Sequence, residues 1–213
     1  PAQTQKKSKK FKAAEERVTK ASEVMTEIMK VAENSIPKDI LNKSNALVFF
    51  PGSLKVAFIF GGQTAKGVAI RRLGNGWSAP AFFNLSGGSF GLQIGGQKTD
   101  YVLVIMNEKG LKNLVSDKFE IGGEGSAAAG PVGRTAAAST NATMDAEILT
   151  YSRSKGLFAG VSLKGLVMSQ DNDINREVYK KTAREVLVEE PIKSASAPPT
   201  LRLLATTVSR YTK

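Results

Sequence analysis

The chain has 213 residues, carries 30 Lys and Arg against 19 Asp and Glu for a net charge of +11, and contains neither His nor Cys. That length suits one domain with a sizeable core. The missing residue types exclude Ser-His-Asp and Cys-His nucleophilic sites, imidazole or thiolate metal sites, and disulfides. Hydrophobic residues at 41% with only 8 Pro describe a globular chain, and no apolar run approaches the ~18 residues of a membrane span.

The first element is a helix over about 8–34. Ala14, Val18, Ala21, Met25, Ile28 and Ala32 recur at steps of three and four, the stripe of a packed helix face. Glu15, Glu16, Arg17, Lys20, Glu23, Glu27 and Lys30 fall between them and are assigned to a solvated face. Pro37 fits the first turn of a short second helix reaching Leu41. Strand texture begins with the apolar run 46–50, closed by Pro51 and Gly52. Further strands are expected at 55–60, 67–72, 77–85, 89–95, 100–106 and 119–121, with a helix at 107–115. The segment 122–143 is rich in Ala, Gly and Ser and reads either as a pair of small-residue strands or as a packed loop. Strands resume at 146–151 and 157–167, and helices at 182–188 and 201–211 close the chain around a linker at 194–199.

The fold class is therefore α+β: a long N-terminal amphipathic helix, a curved, mainly antiparallel, glycine-rich sheet with an embedded helix, and a helical C-terminal tail. Residues 1–34 read as the basic segment and helix, 35–190 as the domain proper, and 191–213 as linker and last helix. Glycine favours one strand face. From Gly87 to Gly96, Gly87, Ser89, Gly91, Gln93 and Gly95 leave one side nearly bare, whereas Phe90, Leu92 and Ile94 line the other. Over 156–165, Leu157, Ala159, Val161 and Leu163 read as one face, with Gly156, Phe158, Gly160, Ser162 and Lys164 opposite. Such faces suit strong curvature with close packing, or a groove for a flat ligand.

Several strings together resemble the SYLF-domain family. They are Gly76-Trp77-Ser78-Ala79-Pro80-Ala81-Phe82-Phe83, Gly87-Gly88-Ser89-Phe90-Gly91-Leu92, Ala128-Ala129-Gly130-Pro131-Val132-Gly133-Arg134 and Tyr151-Ser152-Arg153-Ser154-Lys155-Gly156-Leu157-Phe158. The likeness covers about 34–190 and implies a lipid-binding module without catalytic residues or cofactors. Eukaryotic members bind phosphoinositide membranes and touch the actin cytoskeleton, with an N-terminal basic amphipathic segment implicated in membrane contact. The closing part of the chain, with Asn175, Tyr179 and Thr182-Ala183-Arg184-Glu185, resembles bacterial members. That likeness implies an exported, periplasmic, membrane-associated protein, with a cytoplasmic one as the alternative.

The residues themselves point to the same ligand. Lys6, Lys7, Lys9, Lys10 and Lys12 surround Phe11 without an intervening acid. Each such cation contributes roughly 1 kcal/mol near an anionic surface, and Phe11 suits the interface. Arg153 and Lys155, expected on one strand face, are second candidates for a phosphate headgroup. The expected partner is thus an anionic phospholipid membrane. The alternative is an envelope subunit that assembles with a second copy or another protein through its helices. Nucleic acid is not expected, because residues 1–20 hold seven Lys and Arg against two Glu and the aromatics do not alternate with basic residues. Nor is an enzyme: of Asp100, Glu108, Glu124, Asp145 and Glu147, only Asp145 and Glu147 have a spacing that pairs them.

Overall fold

The structure, a computed structural model, describes residues 7–52, 57–59, 62–87, 98–133 and 145–213. The expected strand at 89–95, with its bare face, and Lys6 lie outside these. Helix α1, Lys9–Met29, starts where Ser8 accepts the amide of Phe11 at 3.1 Å through its side chain, as an N-cap serine does. Ala14, Val18, Ala21, Met25 and Ile28 are all buried along it. The helix ends earlier than expected, because Val31 turns extended (φ −117°, ψ 108°) ahead of a short 3-10 turn, Ala32–Asn34, and Ala32 is exposed. This bend carries Ile36 into the core before α2, Lys38–Lys43.

Strands β1 (Ala46–Phe50), β2 (Ala57–Ile59), β3 (Gly62–Leu73), β4 (Gly76–Trp77), β5 (Ala81–Gly87) and β6 (Thr99–Ile105) form the first part of one sheet. Helix α3, Glu108–Leu114, follows with Asn107 as its cap, and then come β7 (Lys118–Glu120), β8 (Ala127–Ala129), β9 (Ile148–Ser154), β10 (Leu157–Gly160) and β11 (Val167–Gln170). Among the described residues the order is β10-β9-β6-β1-β3-β5-β11-β7, with β2 and β4 on β3. All these pairs are antiparallel except β8 on β9. The small-residue segment is thus a parallel edge strand in part. Of the run expected at 157–167, residues 157–160 form β10, 161–166 are not strand, and Val167 opens β11 in a different part of the sheet.

Every residue of β1 is buried, because elements cover both faces of the sheet. Alternation sends Leu47 and Phe49 to one core and Ala46, Val48 and Phe50 to the other. The first core holds α1 and two helices after the sheet, α4 (Asn172–Tyr179) and α5 (Leu203–Ser209). The second holds Leu111 and Leu114 of α3 and Val186 and Leu187 of the turn Glu185–Glu189. That turn is nucleated by a reciprocal cap: the Thr182 amide donates to Glu185 Oε2 at 2.6 Å, and the Glu185 amide donates to Thr182 Oγ1 at 3.3 Å. The Thr182 amide and, at 2.9 Å, the Thr182 hydroxyl both donate to the Glu185 carboxylate and hold it below its ordinary range.

Small residues serve close packing at the β8–β10 edge. A side chain at Gly160 would overlap the carbonyl of Gly130, and one at Gly130 would overlap the Tyr151 ring. Because backbone blocks it, Gly160→Ala is expected to cost about 2 kcal/mol, within the usual range for overpacking. The check is a urea titration; a loss under about 0.5 kcal/mol shows that the edge yields without strain.

Candidate lipid-contact site

The first turn of α1 presents Lys9, Lys10 and Lys12 to solvent, with no acidic residue in that turn and no ion pair to any of the three among the described residues. A helix N-terminus carries partial positive charge, so lysines there oppose the macrodipole. Their position therefore costs the helix stability and offers a concentrated field to an anion outside. Lys7 differs: it pairs with Glu15, and its ammonium stands 5.4 Å from the centre of the Phe11 ring. Lys7 and a further hydrogen bond from Thr200 hold the Glu15 carboxyl low. Phe11 is half-buried and packs on the first core.

The second pair of candidates is not brought together. Arg153 Nε donates to Asp100 Oδ2 at 3.0 Å, and its Nη1 lies 3.8 Å from Glu27. Asp100 also accepts the Gly52 amide at 2.9 Å. This guanidinium ties α1, β6 and β9 together, and its charge is already matched. Strand β9 ends at Ser154, so Lys155 does not continue the face of Arg153. It occupies a two-residue turn with Gly156, both at positive φ (50° and 78°), and is exposed. The 156–165 alternation is also reversed at its start. Phe158 is buried and stacks on Tyr151 at 5.1 Å, whereas Leu157 is 75% exposed.

The carboxylates are dispersed. Glu147 is buried, held by Lys109 at 2.7 Å and Asn113 at 3.1 Å, while Asp145 is exposed. They precede β9 and share no strand face. Glu108 accepts from Asn45 at 2.9 Å. Among the described residues no three metal-ligating side chains gather, and no helix is long and apolar enough to cross a membrane.

Arg17, assigned above to the solvated face, is 4% exposed. Its guanidinium bonds Asp171 Oδ2 at 2.6 Å and the carbonyls of Gly67 and Phe83 at 3.3 Å each. The signal was available: Arg17 stands three residues after Ala14 and four before Ala21, on the stripe itself. Arg72, half-buried, stacks 4.5 Å from the centre of the Trp77 ring and donates to carbonyls of Leu41, Ser44 and Lys213. These arginines build the fold.

A family model described as Ysc84, Las17-binding protein actin regulator, matches residues 86–211. An SH3 domain-containing protein of Schizosaccharomyces pombe is 36% identical over 81% of this chain and 41% of its own length. The chain belongs to the Ysc84, or SYLF-domain, family. LAS seventeen-binding protein 3 of Saccharomyces cerevisiae is 34% identical over 84% of this chain and 40% of its own. The human SH3 domain-containing YSC84-like protein 1 is 26% identical over 90% and 58%. The chain therefore spans about two fifths of the fungal relatives and under two thirds of the human one. These SYLF relatives are named for binding or for a domain, and none for a reaction. They are fungal and vertebrate, which overturns the periplasmic location and leaves the bacterial source, expected from the likeness to bacterial members, without support. The envelope setting of the alternative reading loses its support with them.

Proposed function

We propose that this SYLF chain is a non-enzymatic module that docks peripherally on anionic, phosphate-bearing membrane lipids. The observation that carries this reading is the set of exposed lysines, Lys9, Lys10 and Lys12, without an ion pair among the described residues, at the one helix end where backbone electrostatics disfavour them. Lys6 adds to the same charge in the sequence, whereas Lys7 is matched by Glu15. Because the apolar stripe of α1 is consumed by the core, and Phe11 packs there too, the contact is electrostatic rather than an amphipathic helix lying in the bilayer. A protein partner accompanies the membrane in this reading: a relative is named for binding LAS seventeen and the family for regulating actin. Both point to the cytoplasmic side of a membrane.

Changing Lys9, Lys10 and Lys12 together to Gln is expected to weaken binding to vesicles containing acidic phospholipid about 100-fold at low salt, from roughly 1 kcal/mol per cation. Raising salt to 0.5 M is expected to release the wild type, because screening shortens the reach of surface charge. Co-sedimentation measures both. Equal pelleting of wild type and variant removes these lysines from the site, and pelleting with neutral vesicles removes the electrostatic mechanism.

A further inference from the structure

We infer that the β9–β10 hairpin tip is a second membrane-contact point, in which Leu157 enters the bilayer beside exposed lysines; this rests on the anionic-lipid reading above. Leu157 is 75% exposed, well above the other exposed large apolar side chains among the described residues, Val31 at 54% and Leu203 at 41%. A lone exposed leucine is ordinary; its surroundings are what point to a ligand. Lys155 sits in the turn at a φ of 50°, a conformation that favours Gly or Asn over Lys. Thr99 pairs with Ser154 at the end of the ladder, and Lys98 and Lys155 are the residues that next leave the two strands there. Both are exposed and neither has an ion pair among the described residues. The nearby acids do not relieve them, because Asp100 and Glu27 are engaged by Arg153 and Lys30.

Two unmatched cations beside a projecting apolar side chain fit a phospholipid surface: the headgroup phosphates meet the lysines and the acyl boundary meets the leucine. A soluble phosphate leaves Leu157 unused. The contact of Arg153 with Glu27 sets the hairpin near the far end of α1 from Lys10, about 25 Å along the helix at 1.5 Å per residue. Two separated contacts restrict how the module turns on the membrane, which one basic cluster does not.

The absence of Cys makes the test direct. Leu157→Cys and, as a control at the other end of β6, Lys112→Cys are labelled in the full chain with nitrobenzoxadiazole. They are then mixed at low salt with vesicles of neutral phospholipid, with or without 30% phosphatidylserine. The expected result is a blue-shifted, intensified emission from position 157 with the acidic vesicles only, and none from position 112. Leu157→Glu is expected to weaken pelleting on the order of tenfold with an unchanged melting temperature, from the lost apolar burial and the added negative charge. Protein that pellets while the 157 label stays in water overturns the hairpin contact and leaves the lysine site standing. Equal shifts at both positions overturn it as well, and no pelleting at all removes both.

Discussion

Asp171→Asn is expected to lower stability by about 3 kcal/mol, the scale for stripping the partner from a buried charge. The carboxylate is 7% exposed and bonds Arg17 at 2.6 Å, with Lys66 at 3.7 Å as a weaker second cation. Burial pulls the Arg17 guanidinium below its ordinary pKa, with Asp171 pushing back, yet arginine stays charged in the working range. With Asn in place, that charge retains two carbonyls at 3.3 Å and the Phe82 ring at 5.8 Å, which do not neutralise it. Urea unfolding followed through Trp77, the one tryptophan and 4% exposed, gives the value. Replacing both partners with Arg17→Met and Asp171→Leu is expected to recover much of the loss, because no stranded charge remains. A single substitution costing under 1 kcal/mol defeats this account.

Alkaline pH is expected to unfold the protein through buried phenols. Burial raises the pKa of Tyr151 and Tyr179 well above the ordinary 10 and raises Tyr101 in the same direction. Above pH 10 the unfolded chain releases these protons while the folded one keeps them, so the folded state loses ground as pH rises; below pH 10 the effect vanishes. For Tyr151 and Tyr179 together the loss is about 2 kcal/mol between pH 10 and 11. The two then part company. Tyr151 donates to the Pro131 carbonyl at 3.0 Å, whereas the Tyr179 hydroxyl is buried without a hydrogen-bond partner among the described residues. Tyr179→Phe is therefore expected to preserve or raise stability at pH 7 and to halve the alkaline slope. A pH profile unaltered by that change assigns the alkaline loss elsewhere.

Local signals announced most of the elements. The stripe of α1, the run 46–50 and Asn107 ahead of a short helix each rest on neighbours within a few residues. The departures need distant information. Arg17 reads as solvent-facing until Asp171, 154 positions away, is brought beside it. The segment 157–167 is apolar enough for one strand, yet β10 pairs with β9 and β11 with β5 and β7. Helix α4 was missed because Asn175, polar at the centre of an eight-residue helix, hides the pattern. Its amide clasps the backbone of Phe82 from both sides, at 2.8 and 3.0 Å. At the candidate site, composition and position gave away the lysines. Only the three-dimensional pairing discharged Arg153 and left Lys155 and Leu157 projecting.

One helix does two jobs at opposite ends of its circumference: its inward ridge of Ala14, Val18, Ala21, Met25 and Ile28 completes the hydrophobic interior, while its leading lysines reach outward. On the proposed lipid contact, deleting the helix wholesale would remove structure and adhesion at once, and a loss of adhesion in such a truncation would carry no information about which atoms meet the lipid. A synthetic peptide copying the helix has the converse defect: freed from the sheet, that ridge is available to sink into any bilayer, and the peptide adheres for a reason the intact protein does not possess.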